Sequence, residues 1–167
     1  MKNIYYLVTS FFLIFIGCST TPTLNEQFNK LESTDFSFYN NMSIIAIPRM
    51  GIVTYAINFK GMNYFVRRNI FTKKISSIED GKTGTGMQLP KEDKKYLQAA
   101  IDKFDNLWIQ NLSVDAHNNI ELSFQLKDYC TYNFLRLSPN NTLEDIKKQF
   151  YQQYKDNWYL DKKCAER

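Results

Sequence analysis

The chain has 167 residues, is 44% hydrophobic and carries a formal net charge of +4. That length holds one compact domain with a real core, and the charge is too small to imply a nucleic-acid partner. Its first segment, residues 4–16, is apolar throughout except for Thr9 and Ser10 and follows the short basic start Met1-Lys2-Asn3. At about 1.5 Å per residue this run falls well short of a ~30 Å hydrocarbon core, so it reads as a secretory signal spanning residues 1–17.

Phe15-Ile16-Gly17-Cys18 closes that run with a small residue and a cysteine, before polar Ser19 and Thr20. The stretch resembles the lipobox of bacterial lipoproteins. The resemblance implies that Cys18 is lipidated and becomes the first mature residue. Residues 18–22 are then a tether and residues 23–167 one domain. Ser19 in the following position implies, by the same resemblance, sorting to the outer membrane of a two-membrane envelope, with the domain facing the periplasm. With Cys18 assigned to lipid, Cys130 and Cys164 remain. An even pair in an oxidising compartment is expected to form a disulfide, the alternative being two buried thiols.

Thr23-x-x-Glu26 is a capping box, and Leu24, Phe28 and Leu31 share one helical face, which predicts a helix over 23–33. Residues 44–47 are a short apolar run stopped by Pro48. Val53, Tyr55, Ile57 and Phe59 alternate with polar or small residues and predict a strand, paired through a Lys60-Gly61 turn with residues 62–71. Residues 76–86 are polar and glycine-rich and read as a loop. Pro90, followed by Glu92 and Asp93, opens a second helix with Leu97, Ile101 and Phe104 inward. Residues 108–114 and 120–126 flank an Asp115–Asn119 turn, and 129–137 adds a strand. Asn141 and Glu144 predict a third helix with Leu143, Ile146 and Phe150 inward, Tyr154 extending that face, and residues 158–160 a last strand. This order of elements is α+β: an antiparallel sheet of hairpins with about three helices packed on it.

Chemistry-bearing patterns are few. Asp80-Gly81-Lys82-Thr83 lacks the upstream glycine of a phosphate loop, since position 76 is Ser76. His117 is the sole histidine and lies in a turn where Asp115 and Asn119 serve backbone geometry, so neither a triad nor a metal set is assigned. The acidic pairs Glu92-Asp93 and Glu144-Asp145 sit at helix starts, although they and Glu79-Asp80 keep a carboxylate hydrolase open. Arg67, Arg68, Lys73 and Lys74 form a basic strand and turn, which suits a charged edge or a contact surface for an acidic partner or anionic lipid. On a strand, Arg67 and Arg68 point to opposite faces. Tyr151 and Trp158 lie in an aromatic-rich segment too extensive for one helix face to bury. The sequence thus predicts a lipid-anchored envelope protein that binds another protein through these residues, as an inhibitor, immunity factor or assembly accessory. It implies no catalytic residue, metal or other cofactor. The alternatives are a carboxylate-dependent envelope hydrolase and a carrier of an apolar ligand.

Overall fold

Alternating apolar and polar residues build most of the molecule, which the computed structural model describes over residues 22–49, 52–127 and 129–165. Residues 1–17, expected to be a signal segment, Cys18 and residues 19–21 lie outside the described residues, as does the side chain of Ile146. Strands β1 (Met42–Arg49), β2 (Ile52–Phe59), β3 (Met62–Asn69) and β4 (Ile75–Asp80) form one antiparallel meander. The helix α2 (Lys91–Leu107) crosses back, and β5 (Asn111–Val114), β6 (Ile120–Gln125) and β7 (Thr131–Arg136) form a second meander. It is extended by β9 (Trp158–Asp161), with β8 (Tyr151–Lys155) outermost. The result is one nine-stranded antiparallel sheet ordered β4-β3-β2-β1-β5-β6-β7-β9-β8. The two meanders meet only where β1 pairs with β5, from Met42 opposite Val114 to Ile45 opposite Asn111.

The helix α1 (Leu24–Glu32) and α2 supply one layer. Thr23 and Glu26 cap α1 reciprocally: the Thr23 amide donates to Glu26 Oε2 at 2.7 Å, and the Glu26 amide to Thr23 Oγ1 at 3.3 Å. Phe28 and Leu31 from α1, and Leu97, Ile101 and Phe104 from α2, join Ile44, Tyr55, Val66, Leu112, Leu122 and Phe134 of the sheet in one buried cluster. Phe28 lies 5.3 Å from the Phe134 ring, 4.7 Å from Tyr154 and 5.5 Å from Trp158, centroid to centroid. Such edge-on and offset ring pairs add directional preference to the burial of apolar area. A smaller cluster of Leu135, Leu137 and Leu143, with Tyr151 and Tyr159 against it, lies under the 138–150 segment on the opposite sheet face.

The predicted β2–β3 hairpin is present, and both of its turn residues, Lys60 and Gly61, have positive φ as a twist-matched two-residue turn requires. Three expectations need correction. Residues 75–80, which overlap the expected loop 76–86, are the edge strand β4. Its inward residues Ile75 and Ile78 are separated by an irregularity opposite Arg67 and Arg68, which hides the two-residue period. Gly81 then lets the chain fold against β3: its amide donates to the Asn63 carbonyl at 2.8 Å, and a Cβ there would lie 2.8 Å from that of Asn63. Second, β1 runs through Pro48. Ala46 donates to Gln110 on the β5 side, and two residues further on the Pro48 nitrogen faces that same side, beyond the start of β5. Third, the long C-terminal helix does not form. Only the single turn α3 (Asp145–Lys148) is helical, Phe150 is exposed, and Tyr151 begins β8. Asn141 does not cap it; its side-chain amide donates to Asn119 Oδ1 at 2.8 Å.

Cys130, beside the β6–β7 turn, is bridged to Cys164 in the short helix α4 (Lys162–Ala165). The two residues are 34 apart in sequence, and both are buried. Closing a loop of that length stabilises the fold by about 3–4 kcal/mol in the chain-entropy account. Replacing both cysteines with alanine should lower the unfolding free energy by about that amount in urea titration. A loss below about 1 kcal/mol would show that β8 and β9 hold without the bridge.

Candidate functional site

The basic strand separates into two environments, as its two-residue period requires. Arg67 points to the open face and pairs with Glu79 at 3.1 Å. Arg68 points inward and is no surface residue: its side chain is 6% exposed. Its guanidinium bonds Asp102 and Asp105 of α2, and Nε donates to the Lys73 carbonyl at 2.8 Å. Gln98 Nε2 donates to the same carbonyl and to Asp102 Oδ1, at 2.8 and 3.0 Å. Tyr55 donates its hydroxyl to Asp105 at 2.8 Å, and burial together with that carboxylate pushes the phenol above its ordinary range. The arrangement clamps the 69–74 turn and β3 onto α2. Lys73 and Lys74 stand exposed on that turn.

Trp158 is likewise not at the surface; it is buried among Phe28 and Phe134, with the Arg136 guanidinium 5.5 Å from its ring. Tyr151 is half-buried on β8, and its phenol is raised by burial first and by the nearby Glu121 and Asp161 charges second. The six candidate contact residues are therefore divided. Arg67, Lys73 and Lys74 remain accessible, Tyr151 is partly so, and Arg68 and Trp158 hold the fold together.

Two accessible features were not legible from local sequence. The first is a cleft of about 560 Å³ between the Asp115–Asn119 turn and the 138–147 segment, lined by Asp115, His117, Glu121, Leu143, Glu144 and Lys147 among others. Its walls are built by hydrogen bonds. Asp115 Oδ1 accepts from the His117 and Asn119 amides, and Oδ2 from Asn119 Nδ2, all at 2.8 Å. Burial pulls the Asp115 carboxyl up, but these donors outweigh it and leave it below the usual carboxylate range. Asn119 Oδ1 in turn accepts from the Ser138 amide at 2.9 Å and from Asn141. Lys147 pairs with Glu121 at 2.7 Å. It is the His117 backbone amide, not its ring, that binds Asp115. Among the described residues no three His, Cys, Asp or Glu side chains gather to hold a metal.

The second feature is the open face of β1–β3. Ser43, Ile45 and Ile47 of β1 stand opposite Asn58, Ala56 and Thr54 of β2, and those opposite Asn63, Phe65 and Arg67 of β3. Ile45 is 47% exposed near the middle of the sheet. A shallow depression of about 250 Å³ runs over Ile45, Ala56 and Phe65, bordered by Ser43, Asn58 and Asn63. Only cross-strand register assembles this patch, because Ile45, Ala56 and Phe65 are neighbours in space while each sits on a different strand.

Compared with protein-family models, curated proteins and solved structures, the chain matches none. Among the described residues no helix is long and apolar enough to cross a membrane.

Two substitutions test these assignments. Arg68→Met should cost about 2–4 kcal/mol, because Asp102 and Asp105 lose their counter-charge. Adding Asp102→Asn and Asp105→Asn should restore part of it, whereas Arg67→Ala should stay within about 0.5 kcal/mol. Chemical denaturation of the four proteins gives the comparison, and equal losses for Arg67 and Arg68 would contradict the inward clamp. Asn119→Ala should cost about 1–2 kcal/mol and accelerate amide exchange at Ser138. Unchanged exchange there would mean that the cleft wall is held by other bonds.

Proposed function

We propose that this protein is a bacterial lipoprotein, anchored through Cys18 in the outer membrane and facing the periplasm, whose domain works by binding another protein. The observation that carries the binding reading is the open face of β1–β3. An apolar centre of Ile45, Ala56 and Phe65, continued by Ile47, is bordered by Ser43, Asn58, Asn63 and Thr54, with the Arg67–Glu79 pair at its margin. Apolar centre and polar rim are the anatomy of a protein interface. The Cys130–Cys164 bridge supports the address, since such bonds persist in oxidising compartments. An inhibitor, an immunity factor against a secreted toxin and an envelope-assembly accessory all fit this reading.

The hydrolase alternative has the cleft in its favour, where Glu121 and Glu144 line the same concavity as His117. The carrier alternative is disfavoured by packing: the space between sheet and helices, where an apolar ligand would lie, is filled by Phe28, Phe104, Phe124 and Phe134.

A photo-crosslinking residue at Ile45 should trap a discrete protein adduct in living cells, and one at Lys95 on α2 should not. Ile45→Lys should abolish the adduct while leaving the unfolding midpoint unchanged, and His117→Ala should leave it intact. Cys18→Ser should move the protein into the soluble fraction in high salt. Adduct formation independent of position 45, with function lost on Glu121→Gln or His117→Ala in folded protein, would replace the binding reading by the enzyme one.

A further inference from the structure

Antiparallel pairing places the β1–β2, β3–β4 and β6–β7 turns, the start of β5, the end of β9 and the start of β8 at one end of the sheet. Most large apolar side chains left exposed among the described residues gather there. Phe71 is 86% exposed in the β3–β4 turn, Trp108 67% where α2 ends, and Tyr129 86% in the β6–β7 turn; Ile52 and Phe150 stand at the same end. At the opposite end, at the β2–β3 turn, only Met62 is comparable. Scattered exposed apolar residues need no explanation, but their concentration on one rim does.

Hydrogen bonds, an ion pair and the disulfide join the rim into one surface. Arg68 holds the Phe71 turn to Asp105, three residues before Trp108. Gln110, two residues after Trp108, meets Gln125, whose amide donates to the Tyr129 carbonyl at 3.2 Å. Cys130 is bridged to Cys164 of α4, and Lys162 at the start of that helix donates its amide to the Phe150 carbonyl at 2.9 Å. Exposed lysines Lys73, Lys74 and Lys127 accompany the aromatics. The carboxylates beside the first two, Asp102 and Asp105, are taken by Arg68. At the other end the lysine of the β2–β3 turn, Lys60, has its own partner, Asp93 at 2.7 Å.

The entry of the chain falls beside this rim. Gln27 of α1 donates to the Leu107 carbonyl at 2.7 Å, and the Lys30 ammonium lies 5.8 Å from the Trp108 ring. Thr23 precedes Gln27 by four residues, about 6 Å along a helix. Cys18 precedes Thr23 by five, a reach of at most about 18 Å when extended.

We infer that this rim seats the domain on an anionic phospholipid surface, with Phe71, Trp108 and Tyr129 at headgroup depth and Lys73, Lys74 and Lys127 against the phosphates. Aromatic rings with polar handles favour the membrane interface, and exposed lysines are drawn to its negative charge. The inference rests on the lipid-anchored reading for the nearness of the bilayer. Seating by the rim leaves the open face of β1–β3 standing roughly upright to the membrane, free for a partner.

The chain has two tryptophans, and the second, Trp158, is buried, so tryptophan emission changes report on Trp108. The protein purified from membranes would be reconstituted in vesicles of phosphatidylcholine alone or mixed with phosphatidylglycerol, each with brominated acyl chains. Trp108 emission should shift to the blue and be quenched in the anionic vesicles. Lys73→Glu, Lys74→Glu and Lys127→Glu together should abolish both effects without changing the unfolding midpoint. Trp108→Phe should leave only the unquenched Trp158 signal. Emission that stays unshifted and unquenched in anionic vesicles overturns the inference, and a protein crosslink at Trp108 in cells would then give the rim to a protein partner. The mass of the N-terminal peptide reports lipidation separately. A chain without acyl mass that still shows quenching on added anionic vesicles would refute the anchor and sustain the rim.

Discussion

Arg68 is the joint on which the arrangement of helix and sheet depends. It rises from the inward face of β3, reaches two carboxylates one turn apart on α2, and takes the carbonyl of the β3–β4 turn as well. A buried cation is tolerable only with such a set of acceptors, because removing it from water costs several kcal/mol that a single partner seldom offsets. The geometry therefore allows little freedom in how α2 lies over the first meander. With α2 fixed, its end at Trp108 and the start of β5 are fixed too, and so is the pairing of β5 with β1. The Lys60–Asp93 pair near the beginning of α2 is exposed and contributes less; it marks the helix's orientation more than it holds it.

Period and turn chemistry made the first helix, the β2–β3 hairpin and the Asp115–Asn119 turn readable, because each is specified by residues within a few positions of one another. The capping box at Thr23 and Glu26 appears in the structure bond for bond. What local reading missed depends on partners distant in sequence. Residues 150–155 carry aromatics at spacings that mimic a helix. Residues 151–155 pair instead with β9 through a turn at Asp156 and Asn157, so their conformation is set by the sheet. Trp158 reads equally well as an interface anchor or as core until Phe28 and Phe134 are seen around it. The two-residue period sends Arg67 and Arg68 to opposite faces, but which of them is buried shows only once Asp102 and Asp105, more than thirty residues away, are placed opposite Arg68. The open face and the cleft belong to the same class of feature, since register and loop closure assemble both.

The sheet's two faces have been used differently. One is filled from end to end by aromatic and branched side chains beneath α1 and α2. The other is covered only over its second half, where the 138–150 segment lies on Leu135 and Leu137, and is bare over β1–β3. An antiparallel sheet tolerates one solvated face when that face is polar, and serine, asparagine and threonine supply the polarity here. Ile45, Ile47, Ala56 and Phe65 are the exceptions to that rule.

The short seam between the two meanders has a kinetic consequence. Within each meander, strands pair with close neighbours in sequence, and loop closure there is quick. The seam instead joins Ile44 to Leu112, with β2, β3, β4 and all of α2 lying between them. Assembly is then expected to proceed as two locally formed half-sheets that search for one another, with α2 as the hinge between them. The rate of folding would be governed by how readily that helix brings the edge of β5 to β1, and before it does so both of those edges stand open to other chains.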